Sequence, residues 1–319
     1  MPVPETDGKS RIVPCACCGS LVFKSALNCE GFSFTRCVSC GLVQRNPQPL
    51  REEINARYSN IYGNDYLSYE LENEAAFLNL QQLALKDAGF EKIEKELFSR
   101  CPEDPPSILD IGCATGALLA NLRDRVTRVE VPRADGSDVS RSDGGEISRA
   151  TRNEVSRAWR VTGVEISPGA EYAKNERKLE VYNIPLEEIK FKEYTFDVIH
   201  ASHLIEHLND PKTFLTETHR ILKNDGYCFI TTPNIDGFQA RLFGGRWRSA
   251  IFDHLYLFSA RTLSVMLKNT GFKIECIKTW GGLAAGAAPL PVKKAADYLA
   301  KKFGCGDVMI IRARKTLNF

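Results

Sequence analysis

The stretch SILDIGCATGALLANL, residues 107–122, constrains the fold of this chain more than any other. An apolar run ends in Asp110, turns through Gly112 and Gly116, and passes into an apolar pattern at helical spacing. A strand feeding a helix through a glycine-bearing turn is the opening unit of an α/β sheet. Ligands of such sheets sit at the C-terminal ends of the strands. Beyond residue 107, the strand-like runs RVTGVEI, LEVYNI, FDVIHAS, GYCFITTPN, FKIECIKTW and DVMIIRAR alternate with helical patterns. That alternation predicts a mostly parallel sheet covered on both faces.

The turn also narrows the ligand. A phosphate-binding loop needs Lys and Ser or Thr after its last glycine, but Ala117 and Leu118 follow Gly116. A dinucleotide fingerprint needs a third glycine in G-x-G-x-x-G spacing, and Asp110 would repel a pyrophosphate. A carboxylate there suits a cationic group instead. S-adenosylmethionine carries an ammonium and a sulfonium and no phosphate. Gly112 and Gly116 let the backbone approach it closely, and Glu165, at the end of the next strand, is placed to accept from both ribose hydroxyls. The interval from Asp110 to Glu165 becomes close to the expected ~20 residues once residues 126–157 are set aside. These divide into four octads, VTRVEVPR, ADGSDVSR, SDGGEISR and ATRNEVSR. They are too polar to bury a core and are expected to form a surface insertion without stable order.

The segments FDVIHASHLIEHLNDPKTFLTETHRILKNDGYCFITTPN (196–234), VEISPGAEYAK and DHLYLFSARTLSVMLKNTGF (253–272) resemble those of class I S-adenosylmethionine-dependent methyltransferases. The resemblance runs over about residues 105–319, less the octads. It implies a Rossmann-like α/β fold with a seven-stranded sheet in order 3-2-1-4-5-7-6, strand 7 antiparallel. It also implies cofactor contacts at Asp110, Gly112, Gly116 and Glu165, with Ile166 and Ser202 beside them. These enzymes usually hold the adenine amino group with an Asp after strand 3. Here Pro185 stands near that position, which leaves Asn183, Glu187, or backbone and packing for the task.

Six of the eleven cysteines fall within residues 15–41. Cys15, Cys18, Cys37 and Cys40 form C-x2-C-x18-C-x2-C, each pair followed by Gly, a spacing that suits a closed tetrahedral Zn2+ site of structural type. Such a small zinc ribbon, ending CGLVQRNPQP ahead of this core, resembles a bacterial group that includes deoxysugar C-methyltransferases and enzymes of surface-polysaccharide pathways. The resemblance implies a saccharide or nucleotide-sugar acceptor. The organisation is then a tail and zinc ribbon over residues 1–50 and a helical lead-in over 51–106. The methyltransferase domain follows over 107–319, with the insertion at 126–157. In the lead-in, Phe77, Leu80, Leu83, Leu85, Phe90 and Ile93 fall near helical spacing.

All five histidines lie between residues 200 and 254. HLIEH (203–207) matches the H-x-x-E-H metallopeptidase pattern, but it follows an apolar strand and no third ligand is evident. His203, His207 and His254 are the candidate catalytic residues. His203 or His254 would serve as base, assisted by Glu206 or His207. Residues 233–252 carry Pro233, Gly237, Gly244 and Gly245 and are expected to form a mobile lid. In that lid Arg241, Arg246, Trp247 and Arg248 would hold a phosphorylated or nucleotide-linked substrate.

Forty-two basic against forty acidic residues leave a formal charge of +2, no basis for binding a polyanion by bulk charge. No apolar run reaches membrane-spanning length, and MPVPETDGKSRIV lacks the apolar core of a secretory signal. A cytoplasmic protein with reduced or metal-bound thiols is expected. Two other readings compete. An RNA methyltransferase would use the ribbon for recognition, but residues 15–41 hold only Lys24 and Arg36 as basic residues. A catalytically silent, zinc-stabilised scaffold would use the octads as a partner site.

Overall fold

The computed structural model describes residues 10–50, 63–100, 104–125, 127–131, 153–282 and 289–316. The chain opens with five short strands: β1 (Ser10–Arg11), β2 (Phe23–Cys29), β3 (Phe32–Cys37), β4 (Val43–Arg45) and β5 (Gln48–Pro49). Helices α1 (Gly63–Asp87) and α2 (Phe90–Arg100) follow, broken at Gly89, whose φ is +82°. From β6 (Ser107–Ile111) the chain alternates through α3 (Ala117–Asp124), the pair β7 (Thr127–Val131) and β8 (Asn153–Arg157), β9 (Arg160–Val164), α4 (Gly169–Asn175), β10 (Val181–Tyr182) and α5 (Leu186–Ile189). It continues with β11 (Phe196–Ser202), α6 (Pro211–Ile221), β12 (Leu222–Pro233), α7 (Phe238–Phe243), β13 (Tyr256–Leu257), α8 (Ala260–Lys268), β14 (Phe272–Trp280), α9 (Leu290–Phe303) and β15 (Val308–Lys315).

The central sheet has seven strands in the order β10-β9-β6-β11-β12-β15-β14. Counting only these strands along the chain, that is 3-2-1-4-5-7-6. Strand β15 runs antiparallel to both its neighbours, while the pairs among β6, β9, β10, β11 and β12 are parallel. The expected fold class is therefore the observed one. The central strands are buried along nearly their whole length because both faces are covered: every residue of β6 is buried, and β11 is nearly so. One apolar layer is built by Leu85, Phe90, Ile93 and Phe98 with Trp159 and Phe229; the other joins Ile111, Ile199, Phe214, Ile230 and Leu263. Local signals set the helix ends. Asp210 accepts from the amides of Lys212 and Thr213 to start α6, with Pro211 at its first position, and Ser259 and Thr262 form a reciprocal cap on α8.

Three expectations need correction. Ser10–Arg11 of the supposed loose tail pair with Gln48–Pro49, and Val13 exchanges two hydrogen bonds with Asn46; residues 1–9 lie outside the described residues. The octad insertion is ordered at its ends, where β7 and β8 form an antiparallel ladder pairing Val129 with Val155; its centre, 132–152, lies outside the described residues. The lead-in positions Phe77, Leu80, Leu83 and Leu85 all lie in α1 as their spacing predicts, with Leu80 and Leu83 exposed and Leu85 buried.

The third correction concerns residues 233–252, which are packed down. Trp247 is buried, donating from Nε1 to Asp307 Oδ1 at 2.5 Å, and Arg248 pairs with Asp307 Oδ2 at 2.6 Å. A Cβ on Gly245 would sit 1.8 Å from the carbonyl oxygen of Asn28. Trp247 and Arg248 are thus occupied by Asp307, while Arg241 and Arg246 remain exposed. Among the described residues, no helix is long and apolar enough to cross a membrane.

Candidate functional site

The four cysteines meet as their spacing predicts. Cys15 Sγ lies 3.4 Å from Cys40 Sγ, Cys18 Sγ lies 3.5 Å from Cys37 Sγ, and all four sulfurs are within 4.8 Å of one another. The two knuckles repeat one hydrogen-bond pattern. Cys15 N donates to Ser20 O and Gly19 N to Cys15 O; Cys37 N donates to Leu42 O and Gly41 N to Cys37 O. Four thiols on two matched turns fit tetrahedral Zn2+, whose Zn–S bonds of about 2.3 Å place sulfurs roughly 3.8 Å apart. Cys17 stays outside this set, and Cys29 is the last residue of β2.

The knuckles do not stand apart from the core. Their strands form a four-stranded sheet, β13-β4-β3-β2, whose edge strand β13 comes from the far end of the chain. Tyr256 pairs with Gln44 and Leu257 with Val43. Cys15, Cys37 and Leu42 share a buried cluster with Leu255, Tyr256 and Phe258. The segment carrying His254 is therefore held by the cysteine module.

The predicted cofactor residues gather at the C-terminal ends of the parallel strands. Gly112 and Gly116 both adopt left-handed φ, +77° and +76°. At Gly116 a Cβ would meet Leu179 Cδ1 at 2.5 Å and Ala173 Cβ at 3.1 Å, whereas at Gly112 it would make ordinary contact with Leu204, so the left-handed φ favours glycine at both positions and crowding adds to it at Gly116. Glu165 closes β9 and clasps the turn: Oε2 accepts from Ala114 N and Oε1 from Ser167 N, each at 2.8 Å. Ile166 beside it is half exposed. Ser202 ends β11, half buried. Past β10, Asn183 and Glu187 are both exposed.

Asp110 is less open than its position suggested. It is 2% exposed, and its Oδ1 lies 2.7 Å from Nδ1 of His200, the residue beside it in the ladder. The other ring nitrogen of His200 is buried with no hydrogen-bond partner among the described residues. Nothing in FDVIHAS singled out His200, because a histidine inside an apolar strand carries no periodic signal. Glu74 of α1 escaped notice for the same reason. Its Oε2 accepts from Thr115 Oγ1 at 2.8 Å and from Arg177, tying the lead-in helix to the glycine turn.

The histidines form one cluster around Glu206. His203 sits just past β11 with φ +52°, a strained left-handed conformation for a non-glycine residue. Its main-chain amide donates to Thr231 O at 2.9 Å, its Nδ1 lies 3.2 Å from Glu206 Oε1, and its side chain is half exposed. Glu206 is fully buried and accepts from Thr232 Oγ1 at 2.8 Å. Burial would raise its pKa, but the hydrogen bond and charge of His203 hold the carboxyl down at about 2. His207 Nδ1 donates to Asp253 O at 3.1 Å and His254 Nδ1 to Ser249 O at 2.8 Å, with the two rings edge-on at 4.6 Å. Burial pushes the pKa of His207 below its ordinary value and that of His254 down to about 4. All three predicted histidines are thus brought together. Of these, His203 is the one with an oriented ring, a carboxylate partner and substantial exposure.

Residues 81–277 match the family model described as methyltransferase domain. An uncharacterised protein of Methanocaldococcus jannaschii is 28% identical over 112 residues, 35% of this chain and 55% of that protein; the match thus spans about half the length of that curated relative. Among solved structures, a SAM-dependent methyltransferase from Thermotoga maritima is 19% identical, covering 76% of this chain and 97% of that one, with a TM-score of 0.43. One from Archaeoglobus fulgidus is 17% identical, covering 74% and 99%, with a TM-score of 0.42.

Proposed function

The chain belongs to the methyltransferase-domain family, and on that premise we propose that it moves the methyl group of S-adenosylmethionine to a small saccharide acceptor, a sugar or nucleotide-sugar precursor. S-adenosylmethionine supplies an electrophilic methyl on a sulfonium, so the protein's task is to align a nucleophile with it and remove a proton. The glycine turn at Gly112 and Gly116 receives the amino-acid end, Asp110 the ammonium charge, and Glu165 the ribose hydroxyls. Each Glu165 oxygen already bonds one amide and keeps a second lone pair for a hydroxyl. Ile166 lies against the adenosine, and Ser202 lines the crevice between cofactor and acceptor.

His203 carries this reading. Its Nδ1 proton is directed at the buried Glu206 carboxylate, which leaves Nε2 on the exposed side as an acceptor for the nucleophile's proton. Glu206 then faces the imidazolium that forms. This favours His203 over His254 as base, since His254 is 6% exposed and anchored through Ser249. Cys15, Cys18, Cys37 and Cys40 would hold a structural Zn2+, on the order of 10 kcal/mol of folding free energy for a ribbon with little core of its own. The RNA reading gains no support from the fold. Arg45, the next cation along the chain after Arg36, is buried with its guanidinium 4.0 Å from the centre of the Phe252 ring.

The test is adenosylhomocysteine production. With S-adenosylmethionine and a panel of sugar nucleotides, adenosylhomocysteine should rise well above the acceptor-free rate. The saccharide assignment fails if no saccharide raises it. Salt-sensitive binding of total RNA with RNA-dependent turnover would favour the RNA reading instead.

A further inference from the structure

The geometry points to a second metal site, distinct from the cysteine cluster: we propose that Glu206, His207 and His254 hold a divalent first-row ion of the zinc type. The binding claim stands on these side chains alone, and only the ion's role rests on the methyl-transfer reading.

One ligand atom from each of the three residues lies within 4.8 Å of the other two. Nitrogen and oxygen ligands at about 2.0–2.1 Å around a tetrahedral ion sit roughly 3.3 Å apart. A closure of at most about 1.5 Å, within the reach of side-chain rotation, completes the set.

The two imidazoles are already oriented as ligands. Each donates its Nδ1 proton to a main-chain carbonyl, His207 to Asp253 and His254 to Ser249. That bond fixes the tautomer and puts the lone pair on Nε2, the arrangement metal-ligating histidines adopt. The carboxylate is oriented too, by the hydroxyl of Thr232. The backbone keeps the ligands together: Leu255 N donates to Glu206 O at 2.8 Å, stitching the turn that bears Glu206 and His207 to the residue after His254.

Two histidines and one carboxylate leave a coordination position open, the pattern of catalytic rather than structural zinc sites. His203 is bonded to the same carboxylate and is half exposed. An acceptor hydroxyl bound at the open position would have its pKa lowered beside the group that takes its proton. The H-x-x-E-H run of residues 203–207 therefore contributes two ligands and a neighbouring base, and the third ligand arrives from the distant His254.

Cobalt(II) reads the two sites apart. The full-length protein, stripped with a chelator under reducing conditions, is titrated with Co2+ and followed by absorption. The cysteine cluster gives an intense near-ultraviolet thiolate-to-cobalt band. The Glu206 site should give a second equivalent with weak visible bands and no thiolate band. His254→Ala and His207→Ala should each weaken that second equivalent by more than about 100-fold and leave the thiolate band unchanged. Should these variants fail to fold, wild-type titration with Mn2+, a poor thiolate binder, provides the same reading: its paramagnetic resonance signal should be quenched stoichiometrically. Saturation after the thiolate equivalent alone, or a second equivalent untouched in His254→Ala, overturns the proposal. Adenosylhomocysteine production is scored separately: a protein that produces it yet binds no second ion keeps the methyl-transfer reading and loses this one.

Discussion

The backbone amide of Ala114 donates a 2.8 Å hydrogen bond to Oε2 of Glu165. This bond joins the turn after the first core strand to the end of the second, across a chain interval that includes the whole octad insertion. Ala114 pays for it with a left-handed φ of +48°. Glu165 thus shapes the glycine turn besides offering the oxygens that our proposal assigns to the ribose hydroxyls. Glu165→Ala should weaken S-adenosylmethionine binding by tenfold or more. Glu165→Gln, which keeps one accepting oxygen, should weaken it less. Isothermal calorimetry decides; equal affinities for all three proteins would remove the clasp.

Asp110 and His200 form a buried pair at the base of the same crevice. Asp110→Ala should abolish measurable S-adenosylmethionine binding. It should also cost about 1–3 kcal/mol of stability, because it strands a buried ring nitrogen. His200→Leu should preserve the fold and lower cofactor affinity by a smaller factor, since it frees the carboxylate to turn. Retained wild-type affinity in Asp110→Ala would remove the electrostatic reading of the crevice.

His203→Ala should cut turnover by about 10²–10⁴, the usual contribution of a positioned base, with cofactor affinity changed less than threefold. Glu206→Gln should lower turnover less and alter the pH–rate profile, because it weakens the partner of the imidazolium. Steady-state kinetics across pH, with calorimetry alongside, separates these outcomes. Wild-type turnover in His203→Ala would end its role.

Gly245 packs its α-carbon against the main chain of Asn28. Gly245→Ala must push the turn at residues 244–246 off strand β2, and it should destabilise the protein by about 1–3 kcal/mol. Gly244→Ala, where no heavy atom lies within 4 Å of the added Cβ, should be milder despite the left-handed φ. Denaturant midpoints measure the difference, and a reversed order would refute the packing of this segment.

His219, on α6, lies edge-on to Phe272 with 5.2 Å between ring centres. Burial, and then the charge of Lys315, hold its pKa below the ordinary value. The folded state therefore binds fewer protons than the unfolded state just below about pH 6.5. Stability should rise with pH through that window and be lost as the medium is acidified. His219→Gln should flatten this part of the melting temperature–pH curve; an unchanged slope would assign acid sensitivity elsewhere.

Much of this protein was legible in its residues taken in order. The seven-stranded alternation, the glycine turn, the matched cysteine knuckles and the closeness of His203, Glu206 and His207 are local features. Backbone sterics, side-chain periodicity and ligand spacing act over a few residues and leave a readable pattern. The tertiary structure alone decided which distant loops meet. His254 joins Glu206 and His207 because the amide of Leu255 bonds the carbonyl of Glu206, and main-chain hydrogen bonds, which almost any residue supplies, leave no signature in side chains. Glu74 reaches Thr115, and His200 meets Asp110, through packing between elements. The 233–252 segment illustrates the same limit: its glycines suggested mobility, yet Gly245 lacks a side chain because Asn28 lies against it. A glycine marks a need for space or for an unusual φ, and only the surrounding atoms tell which.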